Sequence, residues 1–159
     1  MRKIKYSLLL LFICFIALTT QAQWQGPEGI KYCEENLQEA VEGWGIKMKA
    51  IEDRFDEDFK KNPSMRIGME QLTLQFKPKG ILAVSMGGKA AQGTWRVQPK
   101  GENSADTNPF LNIQVGGAPM QTYTIVVLAV GILLLHDENS TLQDQRRRLV
   151  EYESRDKKK

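Results

Sequence analysis

The sequence predicts a mainly β, α+β domain: an antiparallel up-and-down meander of about eight strands closing as a small barrel, with an N-terminal helix and a short helix after the first strand. Three observations carry this. Short segments alternate apolar and polar residues with period two, as half-buried strands require. Turn-forming tripeptides and glycine pairs separate those segments at short intervals. The longest apolar run beyond residue 22, Ile125 to Leu135, is eleven residues with Gly131 inside it, well short of the roughly 20 residues of a membrane-spanning helix.

The chain opens MRKIKYSLLLLFICFIALTTQAQ. Arg2, Lys3 and Lys5 precede an apolar stretch from Leu8 to Leu18, and Thr20 and Ala22 are small residues placed for cleavage after Ala22, so residues 1–22 read as a Sec signal peptide. Cys14 follows Leu11-Phe12-Ile13, which lacks the small residue of a lipidation site. Removing 22 of 159 residues leaves 137, one domain with its own core. Three of the 22 basic residues leave with the signal, so the mature chain carries 19 basic against 19 acidic residues. That balance argues against a nucleic-acid footprint. Basic character concentrates instead in the end, RRRLVEYESRDKKK, with residues 155–159 as a tail. A single thiol, Cys33, survives cleavage; an exported chain with one cysteine forms no internal disulfide and relies on packing.

Residues 23–42 read as a helical segment. Pro27 suits a first turn, and Ile30, Cys33, Leu37 and Val41 recur at three- and four-residue spacing. That spacing predicts a buried, inert thiol at Cys33, with an intermolecular bridge as the alternative. Trp44, Met48, Ile51, Phe55 and Phe59 extend the helical stripe, but Gly43 and Gly45 each cost a helix about 1 kcal/mol relative to alanine. With period two, Trp44, Ile46, Met48 and Ala50 alternate with Gly45, Lys47 and Lys49. The expectation is a strand from Gly43 to Glu52, then a short helix through about Asn62.

The remaining strands follow from alternation and turns. Leu72, Leu74 and Phe76 share one face, and Pro78-Lys79-Gly80 turns the chain. ILAVSM forms the next strand, and Gly87-Gly88 supplies the positive φ angles of a tight hairpin. Trp95 and Val97 oppose Thr94 and Arg96; a polar loop runs from Pro99 through Asn108; Leu111, Ile113 and Val115 form a further face ended by Gly116-Gly117. In TIVVLAVGILLLHDEN, β-branched and aromatic residues from Thr122 to Val127 favour strand, so two strands, about Gln121 to Leu128 and Ile132 to Asp137, join at Ala129-Val130-Gly131. Both faces of this pair are apolar, which predicts strands covered on each side. Val150 and Tyr152 mark the last strand. Strands adjacent in sequence pair as neighbours, so eight of them at residues 43–154 give a meander able to close as a barrel.

The order LTLQFKPKGILAVS, the GTW at Gly93 to Trp95 and YTIVVLAVGILLL at Tyr123 to Leu135 resemble the small lipocalin-like domains of secreted and envelope proteins of bacteria. Lipocalins carry Gly-x-Trp in their first strand, whereas here Gly43 and Trp44 are adjacent and Gly-x-Trp falls later. The resemblance spans about Gly43 to Tyr152. It implies a meander barrel with an open end and an apolar ligand.

Catalytic chemistry has little to work with. His136 is the sole histidine, which excludes a multi-histidine metal site and leaves His136-Asp137-Glu138 reading as a solvated strand end. Glu52, Asp53, Asp56, Glu57 and Asp58 lack the glycine and distant bidentate Glu of a calcium loop and read as a charged helix face. Neither glycine pair has the Lys-Ser/Thr of a phosphate loop. The expectation is an exported, periplasmic or extracellular, non-enzymatic protein with no cofactor or metal and no membrane span after cleavage. Two binding modes follow. In one, the barrel holds a small apolar ligand against Trp44, Met48, Phe76, Met86, Trp95, Ile113, Tyr123 and Ile125, whose aromatic and flexible side chains suit an adaptable pocket. In the other, a filled barrel serves as an envelope protein-interaction or structural module.

Overall fold

The computed structural model describes residues 26–100, 108–141 and 148–156. The expected signal peptide, residues 101–107 of the polar loop and residues 157–159 of the tail lie outside the described residues.

Helix α1, Gly26–Glu39, buries Cys33 and Leu37 along the expected stripe, but it ends before Val41, the stripe's last expected member, which is exposed and so corrects that expectation. Strand β1 is only Trp44–Ile46, every residue of it buried. Helix α2, Met48–Lys61, begins two residues later. The expected strand to Glu52 is therefore corrected: both periods fit the residues, but the helical one places Ile51, Phe55 and Phe59 on a single face, all buried, with the Phe55 and Phe59 rings 5.9 Å apart. Asn62 ends α2 and starts α3, Pro63–Gln71; its side-chain oxygen accepts the Met65 N–H at 3.3 Å, and Pro63 occupies the first turn. Helix α3 was not expected. Asn62-Pro63 was its sequence signal, and it offers only the partly buried Met65 and Met69 to the core.

The strands continue as β2 Thr73–Lys77, β3 Ile81–Met86, β4 Lys89–Gln98, β5 Phe110–Val115, β6 Gln121–Ala129, β7 Ile132–Asp137 and β8 Leu149–Ser154. Each pairs antiparallel with the next, and β1 pairs with both β2 and β8, so the eight-stranded meander is a closed barrel. Gly87 and Gly88 (φ 59° and 77°) make the β3–β4 turn as expected. In-register pairs Phe76–Leu82, Trp95–Ile113, Val97–Leu111, Ile125–Leu135 and Leu133–Tyr152 fill the interior.

Helices α1 and α2 leave opposite ends of β1. Helix α1 touches β2, β4 and β6, strands that are not neighbours, so it lies across one mouth; α2 meets β8 and α3 meets β1 and β3 at the other. The seam is held by the residues after β8. The Asp156 carboxylate accepts the N–H groups of Val41 (3.1 Å) and Glu42 (2.7 Å), and the Arg155 N–H donates to the Gly43 carbonyl at 2.8 Å.

One irregularity decides which side chains face inward. A bulge between Ile125 and Val127 shifts the register against β7, so Ile125 pairs with Leu135 but Val127 pairs with Leu134 and Leu128 with Leu133. Ile125 and Leu128, three residues apart, are both buried; Val127 and Ile132 are 39% and 41% exposed, and Val130 at the hairpin tip is 91% exposed. The expectation that both faces of this hairpin are covered is thus corrected. Its inner face fills the barrel while its outer face meets solvent toward the tip, at Val127, Ala129, Val130 and Ile132.

Candidate functional site

Six of the eight residues expected to line a ligand pocket, Trp44, Phe76, Trp95, Ile113, Tyr123 and Ile125, belong to strand positions facing the interior. All but the partly buried Tyr123 are at most 7% exposed. Met48 starts α2 and packs against the core from outside the strands, and Met86 ends β3 with 49% of its surface exposed. Both tryptophans are fixed by their polar atoms. Trp44 Nε1 donates to the Leu37 carbonyl at 2.9 Å, linking β1 to α1. Trp95 Nε1 donates to the carbonyls of Lys77 and Ile81, each at 3.0 Å, and its ring meets Phe76 edge-on at 5.3 Å.

Near the α2 end, burial pushes the phenols of Tyr123 and Tyr152 above their ordinary pKa, and the charge of Asp137 adds to this. Burial also pushes the Cys33 thiol up, to about 12, with Glu34 contributing. In each case the folded chain holds its proton at a pH where the unfolded chain has lost it. Their contribution to stability is complete below about pH 9 and is lost as pH rises toward the folded-state values. Denaturant midpoints measured from pH 7 to 12 are expected to fall from about pH 9 upward, and Cys33→Ala is expected to move the start of the fall to about pH 10. A midpoint constant to pH 11 would contradict these burials.

His136 lies on the outer face, where its Nδ1 is 3.0 Å from Glu138 Oε1, and Thr124 Oγ1 donates to the same carboxylate oxygen. Partial burial pushes the Glu138 carboxyl up, but the hydrogen bonds from Thr124 and His136 and the charges of His136 and Lys100 outweigh it, leaving the group below its ordinary value. Here the carboxylate sits between imidazole and hydroxyl. A nucleophile relay needs the imidazole in the middle, so this trio ties β6 to the end of β7. Among the described residues no three His, Cys, Asp or Glu side chains gather as a metal site. Of the acidic residues of α2, Glu52 meets Arg66 of α3 at 2.7 Å, and Asp56 meets Lys60 at 2.6 Å.

A groove of about 550 Å³ opens beside the α1 mouth, between the end of α1, the β6–β7 hairpin and the ends of β1 and β8. Ala129, Val130 and Ile132 supply its apolar surface, and the buried Ala40 and Trp44 border it from within. Val41, next to Ala40, is 71% exposed. Sequence reasoning placed none of these residues but Trp44 in a site. The available signal was the second apolar face of residues 125–135.

Comparison of the chain with family models, curated proteins and solved structures gives no match. Among the described residues no helix is long and apolar enough to cross a membrane.

Proposed function

We propose that this chain is an exported, non-catalytic β-barrel module, lipocalin-like in architecture, that binds another protein through its outer surface and uses its interior as a core. One observation carries the reading: the inward aromatic side chains that a ligand would need as pocket walls are packed and hydrogen-bonded, while an apolar face of β6 and β7 is left to solvent. Exposed apolar surface of this kind marks an interaction site. An apolar ligand inside the barrel, the alternative from the resemblance, requires Trp44 or Trp95 to abandon its carbonyl partners and the core to part.

Native mass spectrometry of the chain purified from its own host tests the reading. The expected species is the chain alone or with a second protein. A small-molecule mass that is present reproducibly and lost on denaturation would overturn it.

A further inference from the structure

The groove beside the α1 mouth carries a definite charge pattern. Its apolar surface, Ala129, Val130 and Ile132, is flanked by Glu39 of α1 and Glu153 of β8, both exposed. Asp156 adds a third negative charge while its oxygens hold the Val41 and Glu42 amides. Among the described residues lining it Lys47 is the one basic side chain, and its Nζ is paired with Glu151 at 2.6 Å, which offsets that charge. The groove is apolar in the middle and acidic at its margins.

The closed barrel restricts how a partner can attach. The strands bordering the groove, β1, β7 and β8, are paired on both sides, so no edge is left for an added strand. Recognition must go through side chains. A volume of about 550 Å³ is in the range that takes a few large side chains.

We propose that this groove is the docking site for a basic amphipathic helix of a partner protein, whose apolar face covers Val130 and Ile132 and whose flanking Lys or Arg residues meet Glu39 and Glu153. This inference rests on the interaction-module reading and names the partner's chemistry. Charge argues against a second copy of this chain as the occupant. A second copy in a two-fold contact would bring this same acidic-margined patch, with Glu39, Glu153 and Asp156, against itself.

The test uses the full mature chain and two synthetic helical peptides of identical pattern, one of Leu and Lys and one of Leu and Glu. Binding is followed by calorimetry and by amide chemical shifts. The Leu-Lys peptide is expected to bind with micromolar affinity, shift the amides of Val130 and Ile132, and weaken as salt rises. The Leu-Glu peptide is expected to bind at least about tenfold more weakly. Ile132→Glu and Val130→Asp alter exposed side chains and are expected to fold normally and weaken Leu-Lys binding about tenfold or more. Paired Glu39→Lys and Glu153→Lys are expected to reverse the peptide preference.

If both peptides bind equally and Ile132→Glu abolishes both, the face docks partners without charge selection; the inference falls and the interaction-module reading stands. If neither binds, or binding ignores Ile132→Glu and Val130→Asp, both fall. A dimer in sedimentation, or binding to phosphatidylserine vesicles, that Val130→Asp abolishes would replace the basic helix with a second copy or a membrane and overturn the inference.

Discussion

Trp95→Ala is expected to lower the stability of the barrel by about 3–5 kcal/mol, a fall in Tm of roughly 10–20 °C for a domain of this size. Trp95 is 5% exposed, pairs with Ile113 across β4 and β5, and meets Phe76 edge-on. Removing the indole deletes that packing, opens a void and leaves the Lys77 and Ile81 carbonyls without its N–H. Trp95→Phe separates these effects, because it keeps a ring and loses the donor; about 1–2 kcal/mol is expected from the hydrogen bonds and the smaller ring together. The same pair of variants bears on function. If the interior is a core, small apolar solutes such as benzene stabilise Trp95→Ala, which has a void beside Phe76 and Ile113 to offer, and leave the natural protein unchanged. Stabilisation of the natural protein by such solutes would show a cavity already present.

Gly93→Ala is expected to be comparably damaging, at about 3 kcal/mol or more, although it adds one methyl group. Gly93 lies between Leu82 of β3 and Val115 of β5. A Cβ there would stand 2.1 Å from the Gln114 carbonyl oxygen and 2.9 Å from the Val115 Cα. Both are backbone atoms, so relief requires β4 and β5 to separate, and the ladder between them is a continuous part of a closed barrel. Gly117→Ala is the control: a Cβ there meets nothing within 4 Å, and a change within about 0.5 kcal/mol is expected. Equal denaturant midpoints for the two variants would show that β4 and β5 are not this close. The Gly-x-Trp at 93–95 thus combines a glycine required for strand approach with a tryptophan required for the core.

What was legible in the residues alone was whatever a single segment encodes about itself. The alternation at 72–76, 95–97, 111–115 and 150–152, the turns at 78–80 and 87–88, and the stripe Ile30, Cys33, Leu37 each placed an element where it stands, because side-chain periodicity and backbone turn chemistry are local properties. Eight strands joined by short connections then left few arrangements other than a meander. What only the tertiary structure decided was which of two locally acceptable choices gains more elsewhere. Residues 44–50 satisfy both periods; the helix from Met48 prevails because it sets Ile51, Phe55 and Phe59 against the rest of the core, while three residues of β1 suffice to join β2 to β8. Residues 125–135 are apolar on both faces, and no local pattern states which face is covered. The bulge at Val126, the register with β7 and the placement of α1 over the mouth turn Ile125 and Leu128 inward and leave Val127, Val130 and Ile132 outside. Burial belongs to pairs of surfaces, and the groove beside Val130 exists only once α1, β1, the hairpin and β8 are brought together.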